Sequence, residues 1–391
     1  MKARLGYWAA PVGVAVIIAG FVAFSSRAQA DPPLPELTAQ QLVTNVAEAQ
    51  PVAFSGTVAV TTDIGLPDLS ALQNLMGKQL GGLTSLLGGT TQVKVAVDPS
   101  TGARAEIDSS TSAWVAVANI ANKDGWLYVS DSNSATHLTA PTGSPSADSP
   151  SDSATAMTPE SLADKLINAA SPSTDFTVAR TTTVAGRAAY TLVMTPKDDS
   201  SLISSVDVMV DAATWMPLGV EVWSTQLTGK ASLSVVFTSI SYSTPDASLF
   251  NFTAPPGATV DTIDLGQASS DVPDQVNSAP AYQPSVKVVA GQGWASVAEV
   301  TGLPSDLAAT LADPSQLASI LSGAGGHGDV NSAGPRGMGQ MSQLFGSLAQ
   351  TTAQGTAYST YLGSVLVTPA GNVFAGAVPV SSLESAAAAN Q

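Results

Sequence analysis

Four stretches decide the fold: Arg187-Ala-Ala-Tyr-Thr-Leu-Val-Met-Thr-Pro-Lys197, Val206-Asp-Val-Met-Val-Asp-Ala-Ala-Thr-Trp-Met-Pro217, Phe237-Thr-Ser-Ile-Ser241 and Pro245-Asp-Ala-Ser-Leu-Phe-Asn-Phe-Thr-Ala-Pro-Pro-Gly-Ala-Thr-Val260. In the second, Val206, Val208 and Val210 fall on one side of an extended chain, with Asp207 and Met209 on the other, which is the period of a strand. Asp211-Ala-Ala-Thr214 and Thr228-Gly-Lys230 supply turn residues. Phe176–Val184, Ala188–Thr195, Val206–Asp211, Leu218–Thr225 and Leu233–Ser241 therefore predict successive strands of a curved antiparallel sheet with helices on one side.

The same pattern extends upstream. Phe54–Ile64 is rich in Thr and Val, as strands are. Val93, Val95 and Val97 share a face, Pro99–Gly102 turns, and Arg104–Ile107 returns. Trp114–Ile120 and Trp126–Val129 follow around Asn122-Lys-Asp-Gly125. Leu37, Leu42, Val43 and Val46 mark a short helix over Leu37–Ala49, closed by Pro51, and Thr158-Pro-Glu-Ser161 starts another that ends before Pro172. Thr139–Thr158 has the Ser, Thr and Pro content of a solvated loop. Between the first two strands, Pro67–Leu87 repeats leucine every three or four residues, interrupted at Gly81-Gly82. It reads as a helix packed on the sheet or as a cover over an apolar cavity.

Downstream, Pro245–Val260 reads as irregular and 264–284 as a polar, Pro-bearing linker. Residues 285–391 form a small α+β unit. Its expected elements are a strand over Val286–Val300, a helix over Leu303–Leu321, a Gly-rich tract at Ser322–Gly339 and a helix over Gln340–Ala349. A hairpin of Tyr358–Thr368 with Asn372–Val378 follows, then a helix over Ser381–Ala389.

The N-terminus carries Lys2 and Arg4, an apolar run from Leu5 to Phe24, and Ala28-Gln-Ala30 before Asp31. This predicts a signal peptide over residues 1–30, with an uncleaved N-terminal anchor as the alternative. Either places the remainder outside the cytoplasm.

The 391 residues are 44 % apolar and 11 % charged, with 14 Lys and Arg against 30 Asp and Glu. A net charge of −16 repels phosphate backbones and argues against nucleic-acid binding. With no Cys and only His137 and His327, thiol catalysis, iron–sulfur clusters and disulfides are excluded, and no metal site or cofactor is expected. Gly323-Ala-Gly-Gly-His-Gly328 fits a dinucleotide pattern but follows a helix rather than a strand. Asp198 and Asp199 are adjacent on extended chain and cannot flank one bond. Asn251-Phe-Thr253 is a lone sequon. No catalytic set is present, and the chain reads as a non-enzyme.

The four opening stretches, in that order, resemble the LolA-type lipoprotein carriers and the related RseB sensor domain, whose strands close on a similar D-x-x-x-F-x-F-x-x-P-x-G pattern. Trp126-Leu-Tyr-Val-Ser-Asp131, the Leu37–Ala49 helix and Phe54-Ser-Gly56 extend the resemblance over most of residues 31–263. It implies an α+β fold: an unclosed antiparallel β-barrel, or half-barrel, with helices on its concave face, followed by the small C-terminal α+β unit. It also implies that acyl chains of lipids or lipoproteins are sequestered in an apolar cavity. Candidate lining residues are Phe54, Leu72, Leu75, Leu83, Trp126, Tyr128, Leu192, Met194, Met209, Trp215, Val222 and Phe237, with Arg104 as the counterpart of the family's cavity cation. The alternative expectation is an RseB-like envelope-stress sensor that binds a membrane protein partner, and a structural surface protein remains a third.

Overall fold

The computed structural model describes residues 34–66, 86, 88–108, 113–139, 164, 167–264, 285–313, 316, 346 and 348–390. The expected leader at 1–30, the Leu-rich stretch apart from Leu86, the Ser/Pro loop, the Gly-rich tract and the linker beyond Asp264 lie outside these residues.

Twelve strands form one sheet: β1 (Phe54–Thr62), β2 (Gly89–Asp98), β3 (Gly102–Asp108), β4 (Ala113–Asn119), β5 (Asp124–Val129), β6 (Ser134–Thr139), β7 (Thr174–Val184), β8 (Arg187–Pro196), β9 (Ile203–Asp211), β10 (Pro217–Ser224), β11 (Leu233–Ser241) and β12 (Thr259–Asp264). Their spatial order is β12-β6-β5-β4-β3-β2-β1-β11-β10-β9-β8-β7. Two meanders, β1–β6 and β7–β11, thus lie side by side, joined where β1 pairs antiparallel with β11. Among the described residues nothing pairs β7 with β12, so the sheet is unclosed.

Paired residues share a face. Phe54 faces Val97, Val58 faces both Val93 and Phe237, and Val60 faces Val235. The row continues through Val220, Val208 and Leu192. One face is therefore apolar from β2 across to β8. A helix, α1 (Ala39–Glu48), seats on it: Leu42 packs with Tyr190, Leu192 and Val210. Thr38 and Gln41 form a capping box at its start, which satisfies two of the free N–H groups of the first turn. We call this the helix face, and the opposite side the outer face.

A second sheet has the order β13-β14-β18-β17-β16-β15. Its strands are β13 (Ser285–Ala290), β14 (Val297–Thr301), β15 (Ala349–Thr352), β16 (Gly355–Ser359), β17 (Ser364–Val367) and β18 (Val373–Gly376). Among the described residues two helices, α2 (Ser305–Ala312) and α3 (Val380–Ala389), accompany it, and Leu383, Ala386 and Ala387 of α3 pack on Ala357, Leu366 and Phe374.

Several element expectations need correction. Val286–Val300 is two strands, because Gly291 and Gly293 take positive φ and turn the chain between them. Tyr358–Thr368 is broken at Thr360–Gly363, where the Thr360 backbone N–H and hydroxyl both bond the Gly363 carbonyl. Ala349 begins a strand instead of ending a helix. The end of the supposedly irregular stretch forms β12, which pairs parallel to β6 and has almost no apolar alternation to betray it.

One buried charge organises the end of the sheet. Asp211, at the end of β9, is 1 % exposed at its side chain and pairs with Arg187 at the start of the neighbouring β8. Its Oδ1 also accepts from the backbone N–H of Ala213 and Thr214, at 2.8 and 2.9 Å. The Tyr242 hydroxyl donates to Oδ2 at 3.3 Å, and the Arg187 guanidinium lies 4.7 Å from the Tyr242 ring centroid. Burial pushes the Asp211 carboxyl up, but the bonds from Arg187 and the two amides outweigh it and hold the group below its ordinary range. Burial raises Tyr242 to about 12.

Two consequences follow for stability. A depressed carboxyl stabilises the fold above its unfolded value, near pH 4, and that contribution disappears as pH falls below it. A raised tyrosine stabilises the fold below about pH 10 and loses that contribution as pH climbs toward 12. Denaturant titrations across pH should therefore show losses at both ends, with Tyr242→Phe removing the alkaline limb. Asp211→Ala should cost about 3 kcal/mol, the low end for breaking a buried pair, because Arg187 keeps some access to water.

Candidate functional site

The sheet places the candidate residues on two different surfaces. Phe54, Leu192, Met194, Val222 and Phe237 share the helix face: Val222 pairs with Val206, and Val206 with Met194. Phe237 meets Phe54 edge-on, with ring centroids 5.8 Å apart. Trp215 joins them at the α1 end, stacked 5.9 Å from Tyr190. Its φ of 61° is a strained conformation for a bulky residue, imposed by the turn that Asp211 caps. Met209 pairs with Thr191 and Gly219, where the register of β10 slips by one residue at Leu218. By register Met209 lies on the side of β9 opposite Val208 and Val210, and it is buried in the core cluster that also holds Phe54, Leu218 and Phe237. Leu72, Leu75 and Leu83 lie outside the described residues.

Arg104, Trp126 and Tyr128 stand on the outer face, the first two through the row Arg104–Val117–Trp126–His137. Arg104 pairs with Glu106 at 2.9 Å. Trp126 stacks on His137 at 4.1 Å and 11°, and Phe252 lies 5.5 Å from Trp126 and 5.8 Å from Tyr128. The aromatics are thus covered by the chain's own closing segment. There Asp246 caps a 3-10 turn over Ala247–Phe250 by accepting from the Ser248 N–H. Phe250 is buried over Gly102, where a Cβ would come within 3.1 Å of the phenylalanine side chain. Asn119 Nδ2 fastens the segment by donating to the Phe250 carbonyl and to Asn251 Oδ1, at 3.1 and 3.0 Å. The F-x-F pattern therefore works as a strap across β3–β6 on the outer face.

The helix face has a different character over β2–β5. Its cross-strand rows read Val97–Ala103–Ala118–Gly125, Val95–Ala105–Ala116–Leu127 and Val93–Ile107–Trp114–Val129. The valines, Ile107 and Trp114 are buried, whereas Ala103, Ala116 and Leu127 are half-buried and Ala118 is exposed. Small side chains between bulky ones make an apolar trough that reaches solvent. Trp114 Nε1, on the same face, is buried with no hydrogen-bond partner among the described residues. Sequence reasoning chose bulky residues and passed over these alanines, although the spacing of Ala103, Ala105 and Ile107 marked the same face. The described residues hold no cluster of three or more potential metal ligands.

No protein-family model matches the chain, and no curated protein matches it. Among solved structures it is similar to MucB in the Pseudomonas aeruginosa MucA/MucB complex, at 15 % identity, covering 89 % of this chain and 96 % of that one, with a TM-score of 0.38. It is also similar to a LolA superfamily protein from Nitrosomonas europaea, at 13 % identity over 56 % of this chain and 99 % of that one, TM-score 0.22. An uncharacterized conserved protein from Thermus thermophilus matches at 13 % identity over 58 % of this chain and 100 % of its own, TM-score 0.31. At these TM-scores the overlays assign no residue of this chain a role, and the trough stands on its own geometry.

The strap can be checked directly. Phe250→Ala should cost about 3–5 kcal/mol in urea unfolding, the usual range for emptying a buried phenylalanine site. Phe252→Ala should cost less and shift tryptophan emission to the red, because it uncovers the Trp126 ring.

Proposed function

We propose that the protein is an extracytoplasmic binding protein that takes acyl chains of lipids or lipoproteins on the helix face of its large sheet. The leader at 1–30 exports it, residues 31–263 form the binding unit, 264–284 the linker and 285–391 a second unit. The observation that carries the reading is the trough in which Ala103 and Ala116 are half-buried and Ala118 is exposed, beside buried Ala105, the valines and Trp114. A polymethylene chain is the ligand that small side chains in an apolar row accommodate, and each methylene removed from water gains about 0.8 kcal/mol. Six buried methylenes thus supply about 5 kcal/mol before ordering costs. The unpartnered Trp114 indole N–H would be satisfied by an ester carbonyl, whereas leaving it orphaned costs about 1–3 kcal/mol. No catalytic step is assigned. The alternative, an envelope sensor that binds a protein partner, draws on the second sheet instead of the trough.

Native mass spectrometry of the full chain, before and after solvent extraction, tests the carrier reading. An acyl-containing adduct that extraction removes is the expected result, and Ala116→Trp, which fills the trough, should weaken its reloading by about tenfold or more. Lys94→Ala, on the outer face, should leave reloading unchanged. A chain that stays free of ligand after incubation with acylated lipids and lipopeptides sinks the reading.

A further inference from the structure

The second sheet carries a groove that its own helices leave unfilled. It has a volume of about 360 Å³ and lies between the end of β13, the flank of α3 and the β8–β9 turn of the large sheet. Its floor is small and buried: Ala295, Val297, Val378 and Ala386 are each 5 % exposed or less. Serines of α3 and Asp198 form the rim. Among the described residues Asp198 is the one charged residue lining it. The Asp198 Oδ1 accepts from the Ser200 N–H and hydroxyl, at 2.9 and 2.6 Å, while Oδ2 has no partner among the described residues. The bonds from Ser200 hold the carboxyl below its ordinary range, so it is ionised at neutral pH.

Beside the groove, β13 is the edge of its sheet and pairs only with β14 among the described residues. Val286 and Val288 on that edge are 67 % and 59 % exposed. An unpaired edge strand with exposed valines is a template for another strand unless something blunts it, and the one charge on β13, Lys287 between the valines, is registered opposite Glu299 of β14.

We propose that this edge and groove bind an extended, basic segment of a partner polypeptide. The segment pairs with β13, sets a small apolar side chain on the alanine floor and brings a Lys or Arg to Asp198. Charge selects the occupant. Among the described residues no cation lines the groove itself, and residues 285–391 hold two basic residues, one of them Lys287 on β13, against five acidic ones. The chain's own segments complement it poorly: 265–284 contains Asp271 and Asp274 and no Lys or Arg. Addition of a strand supplies main-chain bonds, and the groove and the carboxylate supply selectivity. This deepens the partner-binding alternative and is independent of acyl binding in the trough.

The test uses the full chain and two fluorescent peptides, acetyl-Lys-Val-Ala-Val-Ala-Lys-amide and its Glu-for-Lys counterpart, read by anisotropy. The basic peptide should bind, the acidic one should bind at least about tenfold more weakly, and salt should weaken the basic one. Ser385→Arg, which puts bulk and positive charge on an exposed rim position, and Asp198→Lys should each weaken it by about tenfold. Circular dichroism and melting should match the parent for both variants, since neither residue is buried in the core. Equal binding of the basic peptide by parent and both variants overturns this groove while leaving a partner elsewhere. Failure of both peptides to bind the parent overturns the groove as a strand-binding site and leaves the partner reading to other surfaces.

Discussion

The Asp211 carboxylate is the constraint on which most of the large sheet depends. A charge almost fully withdrawn from water must be matched, and two side chains from elsewhere in the sheet match Asp211 at the end of β9: Arg187, which opens β8, and Tyr242, which follows β11. The same carboxylate bonds the Ala213 and Thr214 amides and so dictates the β9–β10 turn. That turn forces Trp215 to positive φ, which swings its ring over Tyr190 and under α1. Met216 and Leu218 then enter the core fully buried. A single ionised group thus sets strand alignment, turn geometry and the seat of the helix.

These consequences explain which parts of the fold were legible in the sequence. Alternation in Val93–Val97 and Val206–Val210, with turn residues between runs, announced nearly every strand of the large sheet. The three- and four-residue spacing of Leu42, Val43 and Val46 announced the α1 helix, and the structure adds the capping box of Thr38 and Gln41 at its start. Pattern could not tell which face was which. Trp126 and Tyr128 look like cavity aromatics in a list of residues, but registry with β4 and β6 puts them with Arg104 on the outer face. The partner that covers them, Phe252, lies more than a hundred residues away in sequence. β12 escaped notice because a parallel edge strand exposed along most of its length needs no alternation. The trough escaped for a related reason: alanine carries little hydrophobic signal, and its meaning appears only when Ala105 and Ala116 are set side by side.

The two units meet in a way that bears on what the helix face can do. The Leu202 N–H donates to the Ala377 carbonyl at 2.7 Å, and the Ser224 hydroxyl donates to the Tyr361 carbonyl. The Tyr361 N–H donates to the Ile64 carbonyl at 2.8 Å, and Trp294 Nε1 donates to the Thr174 hydroxyl at 2.8 Å. Gly65, at φ +77°, lies so close to the Tyr361 ring that a Cβ would fall 2.8 Å from it. Ile64 follows β1, Thr174 begins β7, Leu202 precedes β9 and Ser224 ends β10. In an antiparallel sheet these positions are one rim.

Arg187, Asp211 and Tyr242 occupy the opposite rim by the same logic, at the start of β8, the end of β9 and beyond the end of β11. The large sheet is therefore fixed at both ends of its strands, by a buried ion pair at one and by the second sheet at the other. The strap fixes its outer face. On the α1 side the Tyr190 hydroxyl donates to the Pro35 carbonyl at 3.0 Å, whereas the helix face over β3–β5 receives no long-range polar bond among the described residues. An apolar surface that contributes fully to folding is packed under other elements, yet Ala103, Ala116, Ala118 and Leu127 retain contact with water in a sheet otherwise held on three sides. The scaffold is rigid where it binds itself and open where it is apolar and shallow. That division is the one the acyl-binding proposal requires, since a bound chain would complete the burial of this face.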